Sequence, residues 1–409
     1  MPFAVYVLGL AVFAQGTSEF MLSGLLSGIA ADLHVSIPAA GLLTSAFAIG
    51  MVLGAPLMAS LSRGWPRRRA LLVFLVLFIA VHVVGALTPG YAVLLATRIV
   101  AALANAGFWA VALATAVALV PPEARARATS VVVGGVTVAC VVGVPAGASL
   151  GERWGWRAAF WAVALVSVPA VLAIVRTVPA ERPEPSGTGV RGELRTLAGP
   201  RLLLTLLLSA LVQGATFCAF SYLEPLATRV TGLGSAWVPV LLALFGVGSF
   251  VGVTVAGRIT EARADMFVGA GLVSLAAGWA ALALSAADPV AAVVLVFVQG
   301  MLAFGTGTAL ISRVFHRAPG APTLAGAFAT AAFNVGAALG PWLGGLAITR
   351  GHGFRAPLWV SALLMALALL AAGALTLADR AAHRAAAHGV AVRSDDGTGD
   401  GQEEIPVKG

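Results

Sequence analysis

Glu19 stands at the centre of an apolar run from Val5 to about Ala30, long enough to cross a bilayer, where hydrocarbon tolerates a carboxylate badly. Gln15, Glu19 and Ser23 recur at every fourth position. Helical periodicity places such residues on one stripe, which is expected to face the interior of a bundle. Desolvation disfavours the charged form of a carboxyl group, so Glu19 could cycle between protonated and ionised states, as a proton-coupling group must. The structural alternative is a carboxylate locked in an ion pair.

Arg98 is the other charge inside an apolar run. Arginine is effectively always ionised, so it needs a partner or water. Asn105 follows one heptad deeper on the same face. Arg98 reads as an electrostatic tuner of the Glu19 site or as a helix clamp, and a direct Glu19–Arg98 bridge is open despite a difference in depth. His82 could relay protons, or sit neutral and hydrogen-bonded. Gln213, Gln299 and Asn334 could hydrogen-bond a polar substrate or a neighbouring helix. Phe217, Phe220 and Tyr222 follow Gln213 and could form an aromatic wall for a planar ring, or simply pack. Glu224 comes next, near a helix end where water is available.

These residues need elements to hold them. The chain has 409 residues, 59% apolar and only 10% charged, against about 25% charged in a soluble domain. Apolar runs fall near 5–30, 39–62, 69–88, 91–119, 128–150 and 158–176, and resume near 201–223, 237–257, 266–286, 290–312, 323–348 and 357–378. In hydrocarbon the backbone must satisfy its own hydrogen bonds, so twelve membrane-spanning helices are expected. The alternating ten-residue segments of a membrane barrel are absent. No cleaved signal peptide is expected, because the first run lacks a basic lead and holds Glu19.

Nineteen of the 25 Lys and Arg residues fall in loops on one side, five on the other, and Arg98 lies within a span. Positive loops stay in the cytoplasm, so both termini are expected there. This asymmetry accounts for the net charge of +8 without nucleic acid. Cys140 and Cys218 read as buried apolar residues rather than a pair. No metal-ligand spacing, nucleotide loop or nucleophile–base motif appears, so no enzyme, cofactor, metal site or ATP drive is expected.

The halves repeat at one offset of 198 residues. Gln15-Gly16 matches Gln213-Gly214. Phe47, Gly50 and Gly54 match Phe245, Gly248 and Gly252, and Gly107 matches Gly305. "GWRAAFW" at 155–161 matches "GFRAPLW" at 353–359. Six spans separate the copies, so they share one orientation, with a pseudo-two-fold axis along the membrane normal. The expected division is a six-helix bundle over 1–177, a cytoplasmic linker over 178–200, a second bundle over 201–378 and a disordered tail over 379–409. At this offset Glu19 aligns with Phe217 and Arg98 with Val296. The scaffold is duplicated and the charges are not, which assigns ion coupling to the first half and an apolar, aromatic surface to the second.

Six plus six parallel spans resemble the major facilitator superfamily over nearly the whole chain. "RGWPRRRALL", 63–72, is similar to its basic loop motif through Arg67, Arg68 and Arg69, with Arg63 near the place of the usual aspartate. "RIVAALANAG", 98–107, resembles the arginine motif of drug exporters, with Ala101 and Ala102 where glutamine and glycine are usual. "GVTVACVVGVPAGASLG", 135–151, resembles the antiporter motif through Gly143, Pro145 and Gly147, and "GAALGPWLGG", 336–345, carries Gly340 and Pro341. Small residues there let helices approach closely, and the prolines allow bends. "FAQGTSEFMLSGLL", "GLLTSAFAIGMVLGAPLMA" and "RAPLW" look like actinomycete chloramphenicol-resistance exporters. The resemblance implies proton-coupled drug efflux by a monomer in the inner membrane, with phenicols as substrates. Sugar or nucleoside export in the same superfamily is the alternative.

Overall fold

The computed structural model describes residues 1–62, 64–179, 199–258, 264–317 and 322–374. Most of the expected linker and all of the expected tail lie outside these residues, as does Arg63.

Among the described residues, twelve helices are long and apolar enough to cross a membrane. The first six spans are Phe3–Gly24, Ile37–Gly54, Arg67–Leu87, Tyr91–Ala118, Pro122–Trp154 and Trp156–Thr177. The second six are Arg201–Ser221, Ser235–Ala256, Met266–Ser285, Pro289–Arg317, Ala325–His352 and Ala356–Ala374. No strand occurs among the described residues. Local chemistry sets several ends. Gly155 adopts φ +80° and Gly353 φ +72°, left-handed values that glycine adopts without Cβ strain. They break the chain before the sixth and twelfth spans.

Two spans are interrupted where it matters. The first is α-helical only over Phe3–Phe20, tightens to a 3₁₀ turn at Met21–Gly24, and continues as a short helix, Leu26–Asp32. The Gln15–Glu19–Ser23 stripe therefore ends at Glu19. Ser23 lies in the tightened turn and its hydroxyl donates to Phe20 O at 2.8 Å. The fifth span contains a π turn, Ala139–Gly143, just before Pro145. The Val144 N–H reaches back to Ala139 O, and Pro145 has no N–H to offer. The wide turn absorbs a mismatch that a regular helix would leave in the ladder.

The internal repeat is visible as packing. A Cβ added at Gly50 would sit 2.6 Å from Ala102 Cβ on the fourth span, and one at Gly248 would strike Phe297 O on the tenth. Real Cβ contacts are not that short, so only glycine permits each approach. Gly16 likewise packs on the fifth span at Val136 and Ala139, and Gly214 on the eleventh at Gly336. Each half thus pairs its first span with its fifth and its second with its fourth.

The halves do not meet evenly. Near the chain's N-terminus the first half has its own apolar cluster, including Leu8, Met58, Leu71, Phe108 and Ile174. The second half has a separate one there, of Leu202, Val314, Ala325 and Ala329. Away from this terminal face, clusters bridge the halves. Phe20, Cys140, Val144 and Ala148 pack with Phe217, Phe220, Leu242 and Phe245, and Tyr222 packs into the first half.

Candidate functional site

The first span brings Gln15, Ser18, Glu19 and Phe20 to the middle of the fold on successive turns. Ser18 and Phe20 are buried, whereas Glu19 between them is half-buried. Its carboxylate accepts no hydrogen bond and forms no ion pair among the described residues. Arg98 of the fourth span and Cys140 of the fifth lie within its electrostatic reach. Glu19 is therefore not locked in a structural bridge.

Arg98 finds its partners elsewhere, through Nη1 and Nη2 and not Nε. It is 1% exposed, and its guanidinium donates from Nη1 to Ser18 Oγ at 2.8 Å and from Nη2 to Ser18 O at 2.9 Å. Its third neighbour is the Phe47 ring, with the guanidinium carbon 4.5 Å from the centroid, within cation–π range. Behind it, Ser18 Oγ lies 2.6 Å from His82 Nε2, and His82 Nδ1 lies 2.7 Å from Phe78 O. A carbonyl only accepts, so Nδ1 carries the proton and Nε2 accepts from the serine hydroxyl. His82 is thus neutral and structural in this arrangement.

Three buried amide side chains, on the first, fourth and tenth spans, have incomplete partners. Gln15 is fully buried with neither side-chain atom bonded to protein. Asn105 reaches only Met51 Sδ, at 3.4 Å, leaving Oδ1 without a partner. Gln299 donates to Leu275 O at 3.3 Å, and its Oε1 is unpartnered. An unmade buried hydrogen bond costs about 1–3 kcal/mol, so these amides favour a polar visitor. Asn334 donates to Thr330 O at 3.0 Å on its own helix, and Gln213 is half-buried.

The aromatic residues lie between the halves. Phe217 and Phe220 flank Phe20, with centroids 5.4 and 6.3 Å away, and Phe220 continues onto Phe245 at 4.6 Å. Tyr222 donates to Pro341 O at 2.8 Å and lies against Gly41 of the second span. Beyond them Glu224 crosses the seam, where its Oε2 accepts from Ser27 N–H at 3.2 Å and Ser27 Oγ–H at 2.7 Å. Ser235 Oγ donates to Glu152 Oε1 at 2.8 Å, a third hydrogen bond between the halves. Beside Ser27 an open pocket of about 320 Å³ is lined by Ala31, Pro38, Arg229 and Phe354, among others.

The motif glycines stand at close helix approaches. A Cβ at Gly143 would strike Thr17, one at Gly147 would meet Met21 Cβ at 3.3 Å, and one at Gly340 would meet Cys218 N at 2.9 Å. Pro145 follows the π turn, and Pro341 lies within the eleventh span. Arg67, Arg68 and Arg69 open the third span, with Arg69 5.4 Å from the Trp65 ring. None of the three forms an ion pair with a described residue.

Sequence reasoning singled out Glu19 and Arg98 but missed Ser18 and Phe47 as partners of Arg98. Ser18 carried a usable signal, being adjacent to Glu19 on an otherwise apolar run. Phe47 carried none, because an aromatic residue in a span ordinarily packs.

Comparison with known proteins gives this architecture its place. Residues 8–326 match the sequence profile of the Major Facilitator Superfamily. A protein of Streptomyces lividans named "Chloramphenicol resistance protein" is 54% identical over 377 residues, covering 91% of this chain and 96% of that one. "Inner membrane transport protein YdhP" of Escherichia coli K12 is 33% identical over 372 residues, covering 90% and 94%. Among solved structures, an inward-facing, occupied bacterial homologue of the human lysosomal transporter Spinster superposes with a TM-score of 0.74. It shares 18% identity and covers 92% of this chain and 96% of that one. The chain belongs to the major facilitator superfamily and is a multi-pass membrane transporter.

Proposed function

We propose that this chain exports a small, largely uncharged amphiphilic drug in exchange for protons, with phenicols as the substrate class. The observation that carries the proton coupling is Glu19, a half-buried carboxylate at mid-depth with no hydrogen-bond or ion-pair partner among the described residues. The substrate class follows the name of the Streptomyces relative.

The distribution of basic loops assigns the terminal face to the cytoplasm. The apolar clusters that bridge the halves away from that face support a carrier joined on its outer side. The moving bodies are residues 1–177 and 201–378, working as a monomer without ATP or nucleic acid. Arg67, Arg68, Arg69, Gly143, Pro145, Gly147, Gly340 and Pro341 serve the rocking of one body on the other.

A ligand shifts a conformational equilibrium only through different affinities for the two states. Ionised Glu19 favours the drug-accepting state and protonated Glu19 the return, with the charge of Arg98 tuning the balance. Gln15, Asn105, Gln213, Gln299 and Asn334 offer amide groups to a polar end of the substrate. Phe217, Phe220 and Tyr222 offer the aromatic surface for a ring.

Uptake into inverted vesicles under a proton gradient tests this reading. Glu19→Gln is expected to abolish gradient-driven chloramphenicol uptake, and unchanged gradient dependence would refute the coupling. Susceptibility of one expression host to chloramphenicol and florfenicol, set against export of sugars and nucleosides, tests the substrate class.

A further inference from the structure

Arg98 and Glu19 pose a physical problem. A buried arginine near a carboxylate ordinarily forms a short, forked ion pair, which would hold Glu19 ionised and useless for exchange. Here no such pair forms. Arg98 is tied instead to Ser18, the residue just before Glu19, through both the hydroxyl and the main-chain carbonyl.

The direction of these hydrogen bonds follows from the tautomer that Phe78 O selects in His82. Ser18 Oγ accepts from Arg98, and in the neutral His82 ring, whose Nδ1 carries the proton, its own proton goes to Nε2, 2.6 Å away. His82 accepts there only because Nδ1–H donates to Phe78 O. A protonated His82 would leave the Ser18 hydroxyl proton without its acceptor and place a second cation close to the guanidinium. Ser18 and His82 are both fully buried, at 0% and 1% exposure, so water does not replace either partner.

We propose that Ser18 and His82 are positioning residues for proton coupling: they hold the Arg98 guanidinium off the Glu19 carboxylate, leaving Glu19 free to gain and lose its proton. The inference rests on the reading of Glu19 as the coupling group. The groups facing Glu19 are Arg98 from the fourth span and Cys140 from the fifth. His82 acts only through Ser18 and Arg98. The second span contributes no ionisable side chain, and the charges of the sixth, Arg157 and Arg176, stand at its two ends.

The test uses purified full-length protein in nanodiscs, without drug or gradient, so it stands apart from the transport reading. Dicyclohexylcarbodiimide reacts with a protonated, apolar-sited carboxyl, and Glu19→Gln identifies the adduct at that position. In Ser18→Ala and His82→Phe the freed guanidinium moves onto Glu19. The pH midpoint of labelling is then expected to fall by about one unit, a tenfold loss of adduct at fixed pH. His82→Gln keeps an acceptor for the Ser18 hydroxyl and is expected to stay near wild type. Nitrogen-15 NMR of wild-type His82 is expected to show the neutral Nδ1–H form from pH 5 to 8. Unchanged labelling midpoints in both disruptive variants, no Glu19 adduct in wild type, or a titrating or Nε2–H His82 would each overturn the proposal.

Discussion

Replacing Glu224 by alanine removes both hydrogen bonds that Ser27 donates across the seam. Each is worth about 0.5–1.5 kcal/mol net to a neutral acceptor, so the pair contributes about 1–3 kcal/mol to the closed seam. At about 1.4 kcal/mol per decade, the ratio of closed to open seam falls by roughly 5- to 150-fold. Acidity sets the sign of a second effect. Burial in the seam raises the Glu224 carboxyl above the ordinary carboxylate range, opposed by the Ser27 hydrogen bonds and by the charge of Arg229. When the seam opens, the carboxyl is rehydrated and that rise is relieved. The closed seam therefore binds the proton more tightly, and its extra stability is full below the ordinary value and is lost as pH rises through the raised one. Spin labels at His34 and Ala236, both exposed on the far face, report the seam by electron–electron double resonance. Wild type is expected to give a short distance at pH 5 and a growing long component as pH rises. Glu224→Gln, which keeps the acceptor without the charge, is expected to remain short throughout, and Glu224→Ala to show the long component at every pH. A glutamine variant that follows the wild-type pH dependence, or an alanine variant indistinguishable from wild type, would refute this account.

Other outcomes follow from the same geometry. Asp32 accepts from Trp156 Nε1 at 3.0 Å and pairs with Arg157. Hydrogen bonds from Arg157 and then Trp156 hold its carboxyl below the usual range, so this tie persists above that lowered value and is lost as pH falls through it. An acid-side drop in melting temperature, at pH below about 4, is expected in wild type and absent in Asp32→Asn. Gly248→Val pushes a side chain into Phe297 and Met301 on the tenth span, an overpacking of about 1–3 kcal/mol. Size-exclusion profiles and melting temperature are expected to deteriorate, whereas Gly28→Val, with nothing near its added Cβ, is expected to leave both intact. Tyr222→Phe removes a bond to Pro341 O that lies within the second half, so it is expected to leave the seam closed in the spin-label assay, unlike Glu224→Ala.

Hydropathy is a local sum, so the twelve spans could be read along the chain without knowing what packs on what. The 198-residue offset was legible for the same reason, because glycines that permit helix contact must recur wherever the contact recurs. Glu19 and Arg98 stood out because charge in hydrocarbon is expensive at any rotation of the helix. What the sequence could not decide was which neighbour satisfies each charge. Arg98 looked for a carboxylate and found a hydroxyl, a carbonyl and an aromatic face, a choice made by the rotation and depth of three packed helices. Ser23 left its expected stripe because the first span tightens after Phe20, and Glu224 is buried only because the other half of the molecule covers it. Those outcomes belong to the tertiary structure, since hydrogen-bond partners and desolvation depend on atoms contributed by spans distant in sequence.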